Sequence, residues 1–206
     1  MEYLLSVALF AISSSVTPGP NNIMVMTSGV NFGVKKTMPL LLGICVGFTI
    51  MLLLVGLGFG QLFNLFPQLD VVIKTLGTAY LLYLAWQIAQ SGNVSAAGGQ
   101  SKPLGFMKGA LFQWVNGKAW VVAIGAISAF TTVGDTYMSQ NLTIAMTFFV
   151  ASFPCVGVWL MFGSVLRQYL QKPSYLRLFN LTMSILLAIS VLPVVIDIAA
   201  ELNIVV

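Results

Sequence analysis

The chain has 206 residues; 58% are hydrophobic and only 7% charged, nine Lys or Arg against five Asp or Glu. A soluble domain carries about 25% charged residues, so a soluble enzyme and a disordered linker are both excluded. The net charge of +4 is carried by few, scattered basic residues, which excludes a nucleic-acid footprint. A polytopic membrane protein remains, and at ~20 residues per span plus short loops the length holds about six helices.

Long apolar runs between charged or turn-rich breaks place the spans at 3–29, 38–63, 71–90, 109–132, 142–165 and 178–198. The runs are too long and too continuously apolar for barrel strands, and a backbone in lipid must satisfy its own hydrogen bonds, so helices are expected. The breaks fall at Asn31–Lys36, Asn64–Asp70, Ser91–Lys108, Val133–Asn141 and Arg167–Arg177. The N-terminus lacks a basic n-region, so the first run reads as a retained span and not a cleaved signal peptide. The small, polar stretch that begins at Ser91 reads as a cytoplasmic linker over 91–108, between a first three-helix half (1–90) and a second (109–206).

Seven of the nine basic residues lie in alternate breaks: Lys35, Lys36, Lys102, Lys108, Arg167, Lys172 and Arg177. That side is expected to be cytoplasmic. Both termini and all five acids (Glu2, Asp70, Asp135, Asp197 and Glu201) then fall on the outer, periplasmic side. Three spans per half is an odd number, so the halves enter the membrane with opposite orientation. Inverted repeats of this kind are common in secondary transporters. Ile44-Cys45-Val46-Gly47-Phe48 in span two faintly echoes Pro154-Cys155-Val156-Gly157-Val158 in span five.

The first local signal is Thr17-Pro18-Gly19-Pro20-Asn21-Asn22, inside span one. Pro18 and Pro20 supply no N–H and clash with the carbonyls of Ser14 and Val16. Their predecessors, Thr17 and Gly19, are pushed from helical geometry. A second half-helix can begin here, with amides of Gly19, Asn21 and Asn22 lacking intrahelical partners. Freed carbonyls and Asn oxygens suit an ammonium group; free amides at a half-helix start suit a carboxylate. The chemistry is that of a site for a zwitterion. A plain proline kink is the competing reading.

The second signal is Gln113-Trp114-Val115-Asn116-Gly117-Lys118-Ala119-Trp120 in span four. Lys118 lies near mid-membrane, where an ammonium costs at least ~2.5 kcal/mol on the lenient insertion scale. No acid sits at comparable depth, so its expected partners are carbonyls, Asn side chains, water or a substrate carboxylate. The competing reading is a lysine that snorkels over Trp114. Gln113, Asn116 and Trp120 follow helical spacing and are expected on one face, with Asn116 lining the same cavity. Tyr80, Tyr83 and Gln87 form a stripe on span three. Such stripes are more often packing seams, and Tyr80 is kept as its candidate site residue. Cys45 and Cys155 read as small packing residues. With no His, neither a metal site nor a Cys–His nucleophile is expected, and no cofactor is implied.

These motifs resemble those of the LysE/RhtB amino-acid exporter family. Thr17 to Asn22 is similar to its amino-terminal signature, Gly77-Thr-Ala-Tyr80-Leu-Leu-Tyr-Leu-Ala-Trp86 to its third span, and Gln113 to Trp120 to its fourth-span motif. That last motif usually reads Asn-Pro-Lys; here Gly117 replaces the proline, so no proline forces a break. The resemblance implies six spans with a broken first helix. It also implies export of amino acids from the bacterial cytoplasm through the inner membrane by proton exchange, with the cysteine and O-acetylserine branch most alike and the threonine or homoserine branch next. Asn21 stands where some relatives carry Asp, so a neutral amino acid is expected. The expected site is Thr17, Pro18, Gly19, Pro20, Asn21, Asn22, Tyr80, Gln113, Asn116 and Lys118, working by alternating access. An enzyme would need an acid–base pair or nucleophile at depth, and the sequence offers none. A passive channel for small zwitterions is the alternative. The partners implied are an amino-acid substrate and membrane lipid, without nucleic acid; self-association into a homo-oligomer stays open.

Overall fold

A computed structural model describes residues 1–59, 65, 67–91 and 102–201. Among them every regular element is helical: α1 (Glu2–Val16), α2 (Pro20–Phe32), α3 (Val34–Gly56), α4 (Pro67–Gln90), α5 (Phe106–Phe112), a 3-10 turn (Gln113–Val115), α6 (Gly117–Phe130), α7 (Tyr137–Tyr169), α8 (Pro173–Ile189) and α9 (Leu192–Glu201). Four helical segments are long and apolar enough to cross a membrane, and six if each bent pair is one span. The bent pairs are α1 with α2, at 56°, and α5 through the 3-10 turn with α6, at 70°. The described residues are all-helical in their regular structure, with four to six candidate membrane spans.

The expected apolar runs fall on these helices and bent pairs with shifted ends. The break expected over Asn31–Lys36 shrinks to Gly33. Its φ of +79° turns the chain between α2 and α3, a conformation that suits a residue without Cβ. Lys35 and Lys36 are therefore helical. The expected linker over 91–108 is described only at its ends: 92–101 lie outside the described residues, and 106–108 are already in α5. Residues 60–63, at the expected end of span two, also lie outside them; α3 itself ends at Gly56. Pro154 lies within α7, which runs without interruption to Tyr169.

α3 and α7 pack against one another at the centre. α7 also packs along α1 and α2, α3 packs along α5 and α6, and α4 pairs with α8. Glycines make the closest approaches. A Cβ on Gly43 or Gly47 would run into the backbone of Phe106 or Ala110, so α3 and α5 touch backbone to backbone, the approach small residues permit between membrane helices. The outside is covered by large apolar side chains such as Leu5, Val150, Val158, Met161, Leu178 and Ile196, as a lipid-facing surface requires.

Two apolar cores form. One, built around Leu40, Leu41, Leu84, Phe112 and Leu160, lies toward the end bearing Lys35 and Lys36. The other, around Val7, Met51, Ala123, Ile144 and Phe148, lies toward the opposite end. The two helix breaks fall between them.

Candidate functional site

At the first break, Thr17 has φ −60° and ψ 130°, and Gly19 is fully extended. Two prolines without amides end α1 and start α2. The carbonyls at the end of α1 do not stay free. Asn22 Nδ2 donates to Ser15 O at 3.0 Å and to Thr17 O at 2.9 Å. Trp159 Nε1, from α7, donates to Val16 O at 3.1 Å. Lys118 Nζ donates to Thr17 O at 2.8 Å and lies 3.5 Å from Pro18 O. Helix α1 thus ends on an ammonium, a favourable partner for the negative end of a helix dipole.

The second break forms without a proline. The 3-10 turn ends at Asn116, whose φ of −94° and ψ of 102° are extended. Its carbonyl then accepts the first amides of α6, from Ala119 at 2.9 Å and Trp120 at 3.2 Å. Gly117 can replace proline because the backbone turns at the residue before it. This break corrects the expectation that Gln113, Asn116 and Trp120 share one helix face. Gln113 points back to α2, while the Trp120 indole donates to Trp114 O at 2.9 Å. Trp114 stacks edge-on with Phe59 and Trp120. Lys118 reaches Thr17 instead of snorkelling over Trp114.

The breaks are tied together. Asn21 Nδ2 donates to Gln113 Oε1 at 2.9 Å, and Gln113 Nε2 donates to Asn21 Oδ1 at 3.0 Å and Gly109 O at 3.0 Å. Gln113 is fully buried behind this pair. Both amide heads are spent on each other, so Asn21 acts here as a strut between the halves.

A cavity of about 60 Å³ lies where the breaks meet, space for a few water molecules. Gly19, Pro20, Asn21, Asn22, Asn116 and Lys118 line it, with Ser14, Ser15 and Ser152 on the polar side and Cys45, Phe48 and Phe148 on the apolar side. Lys118 is the one charged side chain among these residues. Asn22 is 3% exposed, and its Oδ1 is buried without a partner, an arrangement that costs free energy unless a donor arrives. Two helix starts reach the cavity. The amides of Asn21 and Asn22 precede the first bond of α2, from Ile23 N to Gly19 O, and those of Gly117 and Lys118 precede the first bond of α6. Such amides form an anion site.

Of the expected residues, the cavity thus gathers Gly19, Pro20, Asn21, Asn22, Asn116 and Lys118. Thr17 and Pro18 contribute carbonyls to Lys118, and Gln113 supports Asn21. Tyr80 does not reach the cavity: its ring lies against Phe112 and Tyr83, within the core on the other side of α5, where the stripe is a packing seam. Trp159 and the Ser15–Ser152 contact at 3.1 Å went unforeseen. For Trp159 the available signal was an indole N–H at membrane depth, which must find an acceptor.

The family model of the LysE type translocator matches residues 12–197, both breaks included. The chain belongs to the LysE family. It is therefore a membrane translocator and not an enzyme. Among curated relatives, a cysteine/O-acetylserine efflux protein of Klebsiella pneumoniae subsp. pneumoniae is 36% identical over 122 residues, covering 59% of this chain and 61% of that protein. Cysteine/O-acetylserine efflux proteins of Escherichia coli and Shigella flexneri are each 29% identical over 180 residues, covering 86% of this chain and 90% of theirs. No solved structure matches this LysE-family chain.

Proposed function

We propose that this protein is a secondary exporter of a neutral amino acid or close derivative, of the cysteine or O-acetylserine kind, working by proton antiport and alternating access at the midplane cavity. The observation that carries the reading is the Lys118 ammonium on the Thr17 carbonyl, beside the unpartnered Asn22 Oδ1. The protein's own ammonium holds the place that suits a substrate ammonium. An arriving zwitterion would set its ammonium on Thr17 O and Asn22 Oδ1. Its carboxylate would face the amides at the starts of α2 and α6, with Asn116 alongside. Displaced from Thr17, Lys118 would pair with that carboxylate or carry the exchanged proton. With no carboxylate among the described residues that line the cavity, a cationic side chain has no partner there, which favours a neutral substrate.

The relatives' names support the substrate class. The alternation of basic residues supports an inner-membrane protein with both termini outside. The packing supports two inverted three-helix repeats. Exchanging span one with four, two with five and three with six turns the α3–α5 contact into the α7–α1 contact, and leaves the α3–α7 and α4–α8 pairs as themselves. The test is export of radiolabelled cysteine, O-acetylserine, threonine and lysine from cells with and without the protein. Export of lysine alone would sink the neutral-substrate reading. Flux that never runs uphill would favour the passive channel.

A further inference from the structure

Helices α4 and α8 both begin on a proline, Pro67 and Pro173. In register from these prolines, Lys74 corresponds to Asn180, Thr78 to Ser184 and Ser91 to Asp197, each 106 residues on. The register has structural content at both ends of the bundle. At the end bearing Lys35 and Lys36, Asn180 Nδ2 donates to Ser91 O at 2.6 Å. At the opposite end the corresponding positions also meet, with Lys74 Nζ 3.4 Å from Asp197 Oδ2.

Among the described residues a third element docks at the basic end only. Asn31, near the end of α2, exchanges two hydrogen bonds with the fully buried Asn180, at 2.9 and 3.1 Å. The counterpart of α2 is α6, the half-helix after the second break. Counting from their first-turn caps, Gly19 and Asn116, Asn31 corresponds to Ser128. Ser128 is exposed. The α6 face leading to it, Val121, Ile124 and Gly125, borders a gap of about 740 Å³ whose far wall holds Lys74, Thr78 and Asp197. Thr78 Oγ1 is buried there without a partner, whereas its counterpart Ser184 donates to Ala85 O at 2.7 Å. Lys118 borders both this gap and the midplane cavity.

We infer that these two clusters are the gates of the transport cycle. Docking of Asn31 on Asn180 and Ser91 closes the basic end, while undocked α6 leaves the other end open. The cycle alternates by releasing Asn31 and bringing Ser128 onto the Lys74–Asp197 pair. The inference rests on the alternating-access reading above and names its gate residues.

The test uses a protein with Cys45→Ala and Cys155→Ala, a reporter Ser152→Cys in the cavity, and a membrane-impermeant methanethiosulfonate applied to either side of sealed vesicles. A cysteine replacing Lys102 in a separate variant marks the basic side. Labelling of residue 152 is expected to be faster from the opposite side. Asn31→Ala is expected to raise labelling from the basic side about fivefold or more, the population shift that follows from losing a net hydrogen bond. A second arm leaves Asn31 intact: Ser128→Cys with Asp197→Cys, without the reporter, should be joined by a short bifunctional thiol reagent. Unchanged basic-side labelling in Asn31→Ala, or no joining of residues 128 and 197, overturns the inference. Neither readout uses a substrate, so a failure of the export reading leaves this test standing, and a failure here leaves export intact.

Discussion

Lys118 Nζ donates to the carbonyl oxygen of Thr17 at 2.8 Å, across 101 residues of chain and between two half-helices of different spans. A half-buried ammonium is thereby held by the end of a helix that two prolines have broken. Each oddity accounts for the other. The break supplies acceptors that an intact helix would use internally, and the lysine donates to two of them, Thr17 O and Pro18 O.

Removing that ammonium should stop transport before it stops folding. Lys118→Ala is expected to lower export at least about tenfold, equal to about 1.4 kcal/mol, while the protein still elutes as a single species in detergent. Lys118→Arg should not restore export. A planar guanidinium is not a compact ammonium, and the lysine stem already crosses Gly19 closely. Normal export by Lys118→Ala, with unchanged pH dependence, would remove Lys118 from the mechanism.

Gly19 is needed for space, since its extended backbone is open to any residue. A Cβ there would come within 3.0 Å of Lys118 Cδ and 3.1 Å of Nζ. Gly19→Ala is expected to leave the melting temperature nearly unchanged and to cut export several-fold, because the flexible lysine head gives way and loses Thr17. Equal losses of stability and export would point to a packing role instead.

The Asn21–Gln113 pair should behave as a coupled unit. Gln113→Ala strands the Asn21 amide in a half-buried place, at a cost of about 1–3 kcal/mol, read as a lowered midpoint of thermal unfolding in detergent. The double variant with Asn21→Ala should lose less than the two single losses added together. Strict additivity would show that the two amides contribute independently.

The glycines of α3 make a separate test of the packing. Gly47→Leu sets a side chain against the backbone of Ala110, which cannot swing aside, so monodisperse protein should not be recovered. Gly157→Ala should be tolerated, since nothing lies within 4 Å of the added carbon. The reverse pattern would contradict the arrangement of α3 against α5.

That glycine pair also marks how far the sequence can be read. The apolar runs and the Thr17–Asn22 motif foretell the spans and the first break, because proline chemistry is local. The echo between Gly47 and Gly157 does not extend to packing: Gly47 is pressed against α5, whereas on α7 it is Gly163 that meets the backbone of Met26. Lys118 could be singled out by its depth, but its partner could not, because nothing in local spacing brings residue 118 to residue 17. The break at Asn116 needed no proline and so left little trace. Tyr80 shows the limit of a stripe: helical spacing names a face, and the neighbouring helix, here through Phe112, decides what the face meets.

Coupling through Lys118 is measured most directly as uphill flux of radiolabelled O-acetylserine in proteoliposomes under an imposed proton gradient, comparing the intact protein with Lys118→Ala. The intact protein is expected to accumulate substrate against its gradient, an accumulation abolished by a protonophore and absent in Lys118→Ala. Flux that runs only down the substrate gradient, at the same rate in both proteins, would contradict this coupling.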